Sequence, residues 1–171
     1  MDIPLHLQQD YHTKGILALA KRAGEDPHIF KALFKLYLTG EETLKRRSAW
    51  ALGHVAVLKP ERFKNSCDGL LQQLECKGQH QSIYRCAFKC LQEISVPETH
   101  LARVFDISCR YLSSEMYEAA VRAFAITVAC KCAMPYPELR NELTAVLQSI
   151  QFESQSPAIR VRVRKALKDM A

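Results

Sequence analysis

Four potential zinc ligands fall close together in the sequence: Cys76, His80, Cys86 and Cys90. Cys86 and Cys90 are four apart, the spacing that stacks two side chains on one helix face. Zinc sites are usually built from tighter pairs such as Cys-x2-Cys. This set contains none, so no metal and no cofactor is expected. Cys130-x-Cys132 is one residue short of a redox pair. None of the histidines, His54 included, belongs to a His-Glu-x-x-His pattern. A Gly-x-Ser-x-Gly elbow, a phosphate-binding glycine loop and a dinucleotide fingerprint are missing too. The residues therefore name no catalytic group, and the reading is a non-catalytic one.

Binding chemistry is better represented. Lys and Arg number 24 against 18 Asp and Glu, a net charge of +6 that favours acidic partners. Cations recur at Lys45, Arg46, Arg47, Arg85, Lys89, Arg122, Arg160, Arg162, Arg164, Lys165 and Lys168. Regularly spaced cations can follow a phosphate backbone or an acidic protein segment. They can equally be the solvated surface of ordinary helices, or partners of acids in a neighbouring unit. Trp50, the one tryptophan, follows Arg46 and Arg47. An aromatic beside cations can stack on a base or anchor a peptide; packing into the core is the ordinary alternative. The candidate binding set is Arg46, Arg47, Trp50, Arg85, Lys89, Arg122, Arg162 and Lys165.

These residues sit on elements with a common period. Apolar residues follow helical spacing in nearly every segment, with no sustained strand alternation. Pro27, Pro60, Pro97 and Pro137 each precede a helical run, and Glu61, Glu98 and Glu138 follow three of them. Proline suits the first helical position and acids suit the positive end of the helix dipole. Between the prolines a second helix recurs. Leu44, Ile83, Val121 and Ile159 align; four residues on come Ser48, Ala87, Ala125 and Val163; seven on, Ala51, Cys90, Val128 and Ala166; eight on, Leu52, Leu91, Ala129 and Leu167. These positions share one face, and small residues there let a neighbouring helix approach closely. Trp50, at the seventh position of the frame, is expected next to that face. The period predicts first helices over 27–38, 61–74, 98–112 and 137–150, and second helices over 42–58, 81–95, 116–133 and 158–170. A capping helix is expected over 11–23.

Helix pairs recurring about every 40 residues point to an all-α solenoid, in which each pair must stack on the next to bury its apolar side. The stretch from Leu44 through Ser48-Ala49-Trp50-Ala51-Leu52 to Gly53 resembles the second helix of a HEAT repeat. Gly24-Glu25-Asp26-Pro27, Leu38-Thr39-Gly40 and Tyr136-Pro137-Glu138-Leu139-Arg140-Asn141-Glu142-Leu143 are similar to short bacterial HEAT-like proteins. The resemblance implies a right-handed α-α superhelix of HEAT/armadillo type. Four helix pairs and an N-terminal cap (1–23) would form a single domain over 1–171, with repeats at about 27–58, 60–95, 97–134 and 137–171. It supplies no catalytic residue. It places the second helices, and so the cations, on the concave wall. The function expected is a scaffold that binds a protein partner or an acidic segment there. The alternative is a nucleic-acid-binding module distantly like the HEAT-like DNA glycosylases of alkylation repair. Neither a signal peptide nor a membrane span is visible in the sequence, and seven scattered cysteines suit a reducing cytoplasm.

Overall fold

The computed structural model describes residues 2–150 and 155–170; the outermost residues of the expected domain, 1 and 171, lie outside that range. Its α-helices are α1 (Ile3–Gln9), α2 (Thr13–Glu25), α3 (Pro27–Thr39), α4 (Glu42–Leu58), α5 (Cys67–Glu75), α6 (Gln81–Glu93), α7 (Glu98–Ser113), α8 (Ala119–Ala133), α9 (Pro137–Ser149) and α10 (Pro157–Met170). No strand occurs among the described residues. The chain is all-α, and none of the described helices is long and apolar enough to cross a membrane.

Local chemistry sets the helix starts. Asp26 accepts a hydrogen bond from the His28 amide at 2.8 Å, with Pro27 at the first helical position. His80 does the same for α6, its Nδ1 accepting from the Ser82 amide at 3.2 Å. Gly78 turns the chain just before it with φ of +74°, a conformation open to glycine at little cost.

Backbone contacts divide the chain into two compact units, Met1–Ser95 and Val96–Ala171. In the first unit α4 packs against α2, α3 and α6, and α5 packs against α6. Its core joins the aromatic cluster Phe30, Phe34 and Phe63 to the second-helix face, and the Tyr37 hydroxyl donates to the Ile83 carbonyl at 3.1 Å. In the second unit α8 packs against α7, α9 and α10. The repeating face is the core in both: every position of the frame is buried except Leu167, which is half-buried.

Three elements depart from the sequence reading. The helix expected over 61–74 is broken into a 3-10 turn, Pro60–Phe63, followed by α5. Asn65 and Ser66, which prefer turns to helix interiors, stand at the break, while Phe63 packs edge-on against Phe30 at 4.9 Å. The second helix of the third pair begins at Ala119 and not Met116. The Tyr117 ring stacks on Tyr111 at 4.0 Å, which folds the chain back first and leaves Met116 exposed. The cap, expected as one helix over 11–23, is two. In α1, Asp2 accepts from the Leu5 amide at 3.0 Å and Ile3 and Leu7 are buried one turn apart.

Candidate functional site

On α4 the frame buries Ser48, Leu52 and Val55, so the opposite side must face away from the core. That side carries Thr43, Arg46, Trp50, His54 and Val57, successive three- and four-residue steps along one stripe. Trp50 is at its centre and is 43 % exposed. The expectation that it sits beside the core face is therefore corrected. A seventh-position residue lies nearly opposite the mean direction of Ser48, Leu52 and Val55 once the 100° helical step is counted. Arg46, one turn before Trp50, is exposed and makes no hydrogen bond or ion pair with any described residue.

The neighbouring helix α6 adds two cations. Arg85 is the exposed residue of its outer stripe and likewise has no partner among the described residues. Lys89, one turn on, is half-buried and lies across Gly53 of α4. A Cβ at Gly53 would stand 3.3 Å from Lys89 Cδ, so the glycine leaves room for the lysine stem. Burial, and then the charge of Lys89, hold the His54 imidazole below its ordinary value of 6.5. Arg46, Trp50, His54, Arg85 and Lys89 thus occupy the outer surface of two packed helices in one unit.

Other cations are taken up by the fold. Arg47 Nη1 donates to the Leu7 carbonyl at 2.8 Å, and its guanidinium lies 3.9 Å from the centre of the Tyr11 ring. It closes the C-terminal end of α1, where carbonyls lack helical partners. Arg62, which sequence reasoning missed, does this for α2, donating to the Gly24 and Glu25 carbonyls at 2.8 Å each. Arg122 does it for α7: it is buried, and its Nε donates to the Leu112 carbonyl at 3.1 Å. Burial lowers its pKa, opposed by the charge of Glu115. Arg162 bonds Thr127 Oγ1 at 3.2 Å and lies over Phe124, tying α10 to α8. Lys165 is exposed on α10. Lys45, also on α4, donates to Gln79 Oε1.

The family model of the HEAT repeat domain matches residues 4–170. The chain belongs to the HEAT-repeat family. No curated protein matches it.

As a HEAT-repeat solenoid the chain divides its charge unevenly between the two helices of each pair. The second helices α4, α6, α8 and α10 carry twelve Lys and Arg against three Asp and Glu. The first helices α3, α5, α7 and α9, with the 3-10 turn, carry six against seven. Four of these twelve cations, Lys45, Arg47, Arg122 and Arg162, bond to the fold, and the other eight still outnumber the three acids.

Among the cysteines of this HEAT-repeat chain, Cys90 stands in the repeating frame. Cys86 and Cys90 are buried with sulfurs 3.9 Å apart, and Cys90 also approaches the Leu52 carbonyl. His80 caps α6 and Cys76 is exposed. Among the described residues no three His, Cys, Asp or Glu side chains are placed to hold a metal.

Proposed function

We propose that this HEAT-repeat chain is a non-catalytic binding module whose second-helix surface holds an acidic protein segment. The observation that carries the reading is the charge division: twelve cations against three acids on the second helices. Arg46, Trp50, Arg85 and Lys89 form the contact surface of the first unit; in the second unit, taken by itself, Lys165 is the exposed cation of the same kind on α10. Trp50 supplies the apolar anchor, since aromatic and arginine side chains dominate interface energetics. Arg47 and Arg122 are excluded from the contact set because helix ends occupy them. In this reading the module works in the reducing cytoplasm.

A second reading rests on one observation, an exposed tryptophan one turn from an arginine that has no partner among the described residues, which suits base stacking on single-stranded nucleic acid. Titrating Trp50 fluorescence separately with poly-L-glutamate and with single-stranded DNA decides between them. Polyglutamate is expected to bind saturably and more tightly than DNA at equal charge, with Arg46→Glu and Arg85→Glu together weakening it at least about tenfold. Tighter DNA binding, falling with salt by a log–log slope of about −0.7 per phosphate engaged, would establish the second reading instead. Unchanged affinity in the double reversal refutes both.

A further inference from the structure

The frame of the second helices occurs once more, on α2. Ile16, Ala20, Ala23 and Gly24 stand at its first, fifth, eighth and ninth positions, and all four are buried. α2 packs against α4, and α4 packs against α6. Three helices with their core faces in one register therefore lie side by side within the first unit. Such helices turn the same positions outward. At 100° per residue the third and seventh positions lie opposite the frame. The third-position residues are Ala18, Arg46 and Arg85, and the seventh-position residues are Arg22, Trp50 and Lys89. All six are exposed except Lys89, which is half-buried.

The seventh-position row reads cation, tryptophan, cation across three helices. The single acid of each helix stands at one end: Glu25 closes α2, Glu42 opens α4 and Glu93 closes α6. The middle turns are left cationic. Arg22 already makes a contact, but a guanidinium has five N–H donors, so a carboxylate can join it. Spacing then selects the occupant. Packed helices lie about 8–10 Å apart. A polyproline II chain has three residues per turn and rises ~3.1 Å per residue, so every third side chain points the same way at a repeat of about 9.3 Å. A β-strand repeats its direction every second residue, at about 6.7 Å, and every fourth, at about 13 Å, and neither matches. No strand occurs among the described residues, so the surface offers no sheet edge for strand addition either.

From this match we infer that the first unit holds its acidic segment in the polyproline II conformation, running across α2, α4 and α6. Its pattern is acid-x2-apolar-x2-acid: the acids meet Arg22 and Lys89, and the apolar residue between them lies on Trp50. Arg46 and Arg85 add charge along one side of that path. A polyproline II chain needs no backbone hydrogen bonds from its partner, and this surface presents side chains only. The inference rests on the acidic-segment reading and adds to it the conformation and spacing of what is bound.

Titrating Trp50 fluorescence of the whole chain at low ionic strength with end-blocked peptides of equal charge tests the inference. The peptides are Glu-Pro-Pro-Leu-Pro-Pro-Glu, its analogues with one or three prolines in each spacer, and a version with Gly-Ser spacers. The two-proline peptide is expected to bind saturably and at least about fivefold more tightly than the other proline peptides. It should also exceed the Gly-Ser version, which loses more conformational freedom on binding. Arg22→Gln and Lys89→Gln are each expected to erase the preference for two-proline spacers. Lys31→Gln, the same charge change at an exposed position of α3, should preserve it. Polyglutamate separates the two possible failures. If it binds while the peptides share one affinity, or none of them binds, the crossing geometry is overturned and the acidic-segment reading stands. The same holds if the Gly-Ser version binds as tightly, or if the preference survives Arg22→Gln or Lys89→Gln or is lost in Lys31→Gln. If polyglutamate does not bind, the reading and the inference fall together.

Discussion

Trp50 reports directly on the charge of the surface proposed to bind, because it is the single tryptophan and is exposed. Arg46 lies one helical turn away, where side chains are ~6 Å apart. A unit charge at ~6 Å in water contributes about 0.7 kcal/mol, which ~10 Å screening at 0.1 M salt reduces to about 0.4. That is about a twofold enrichment of a monovalent anion at the ring and about a twofold depletion of a cation. Iodide should therefore quench Trp50 about fourfold more efficiently than caesium, after each constant is divided by its value for free N-acetyltryptophanamide. Lys89 and Arg85 act in the same direction from α6. Arg46→Glu reverses the nearest charge, and the iodide constant should fall about fourfold while acrylamide, a neutral quencher, is unaffected. Stern–Volmer plots at 0.1 M and 0.5 M salt provide the measurement, the higher salt collapsing the difference. Equal normalised constants for iodide and caesium on the native chain would show that the surface around Trp50 is neutral, and the proposed function would lose its electrostatic basis.

Three further outcomes follow from the packing. Ser48 is fully buried with an unsatisfied hydroxyl, and its frame equivalents are Ala87 and Ala125; Ser48→Ala should stabilise the chain by about 1–2 kcal/mol in urea denaturation, and a lower midpoint would contradict the burial assigned to it. Partial burial pushes the Cys109 thiol up to about 12 and the Cys130 thiol up to about 11, so at pH 8 a disulfide reagent should modify exposed Cys76 first and both of these more slowly, with equal rates for the three contradicting the shift. His54 resists protonation when folded, whereas the unfolded chain takes up a proton near 6.5; its contribution is therefore complete above that pH and is lost as pH falls below it. A thermal midpoint that declines on acidification through this range, and declines less in His54→Gln, is the expected result; identical slopes would remove His54 from the account.

The second helices were the most legible part of the chain, since small and apolar residues recur there in a fixed frame and the core is built on that face. The predicted bounds for α4 coincide with the observed ones, 42–58. Where the reading failed, short-range contacts outweighed the period. Phe63 is drawn to Phe30 across a turn at Asn65 and Ser66, and Tyr117 stacks on Tyr111 before α8 begins. The missed helix α1 has a signal that a repeat search passes over: Asp2 and Pro4 at its start, with Ile3 and Leu7 on one face.

The cations were harder to read, because composition does not say which way a side chain turns. Arg46 and Arg47 are neighbours in sequence and of one type, yet a 100° step puts one at the edge of the open stripe and the other against the carbonyl end of α1. Arg122 occupies the frame position after Val121, as Lys45 does after Leu44 and Arg160 after Ile159, and it is the buried one of the three. What separates them is the preceding helix. The chain leaves α7 at Ser113 and turns back by way of Tyr117, which leaves the Leu112 carbonyl within reach of the first turn of α8. Substituting Tyr117 with alanine should loosen that turn. A lower urea midpoint in that variant, with iodide quenching of Trp50 unchanged, would show that the Arg122 cap of α7 and the Trp50 surface depend on separate local geometry and only share the helix frame.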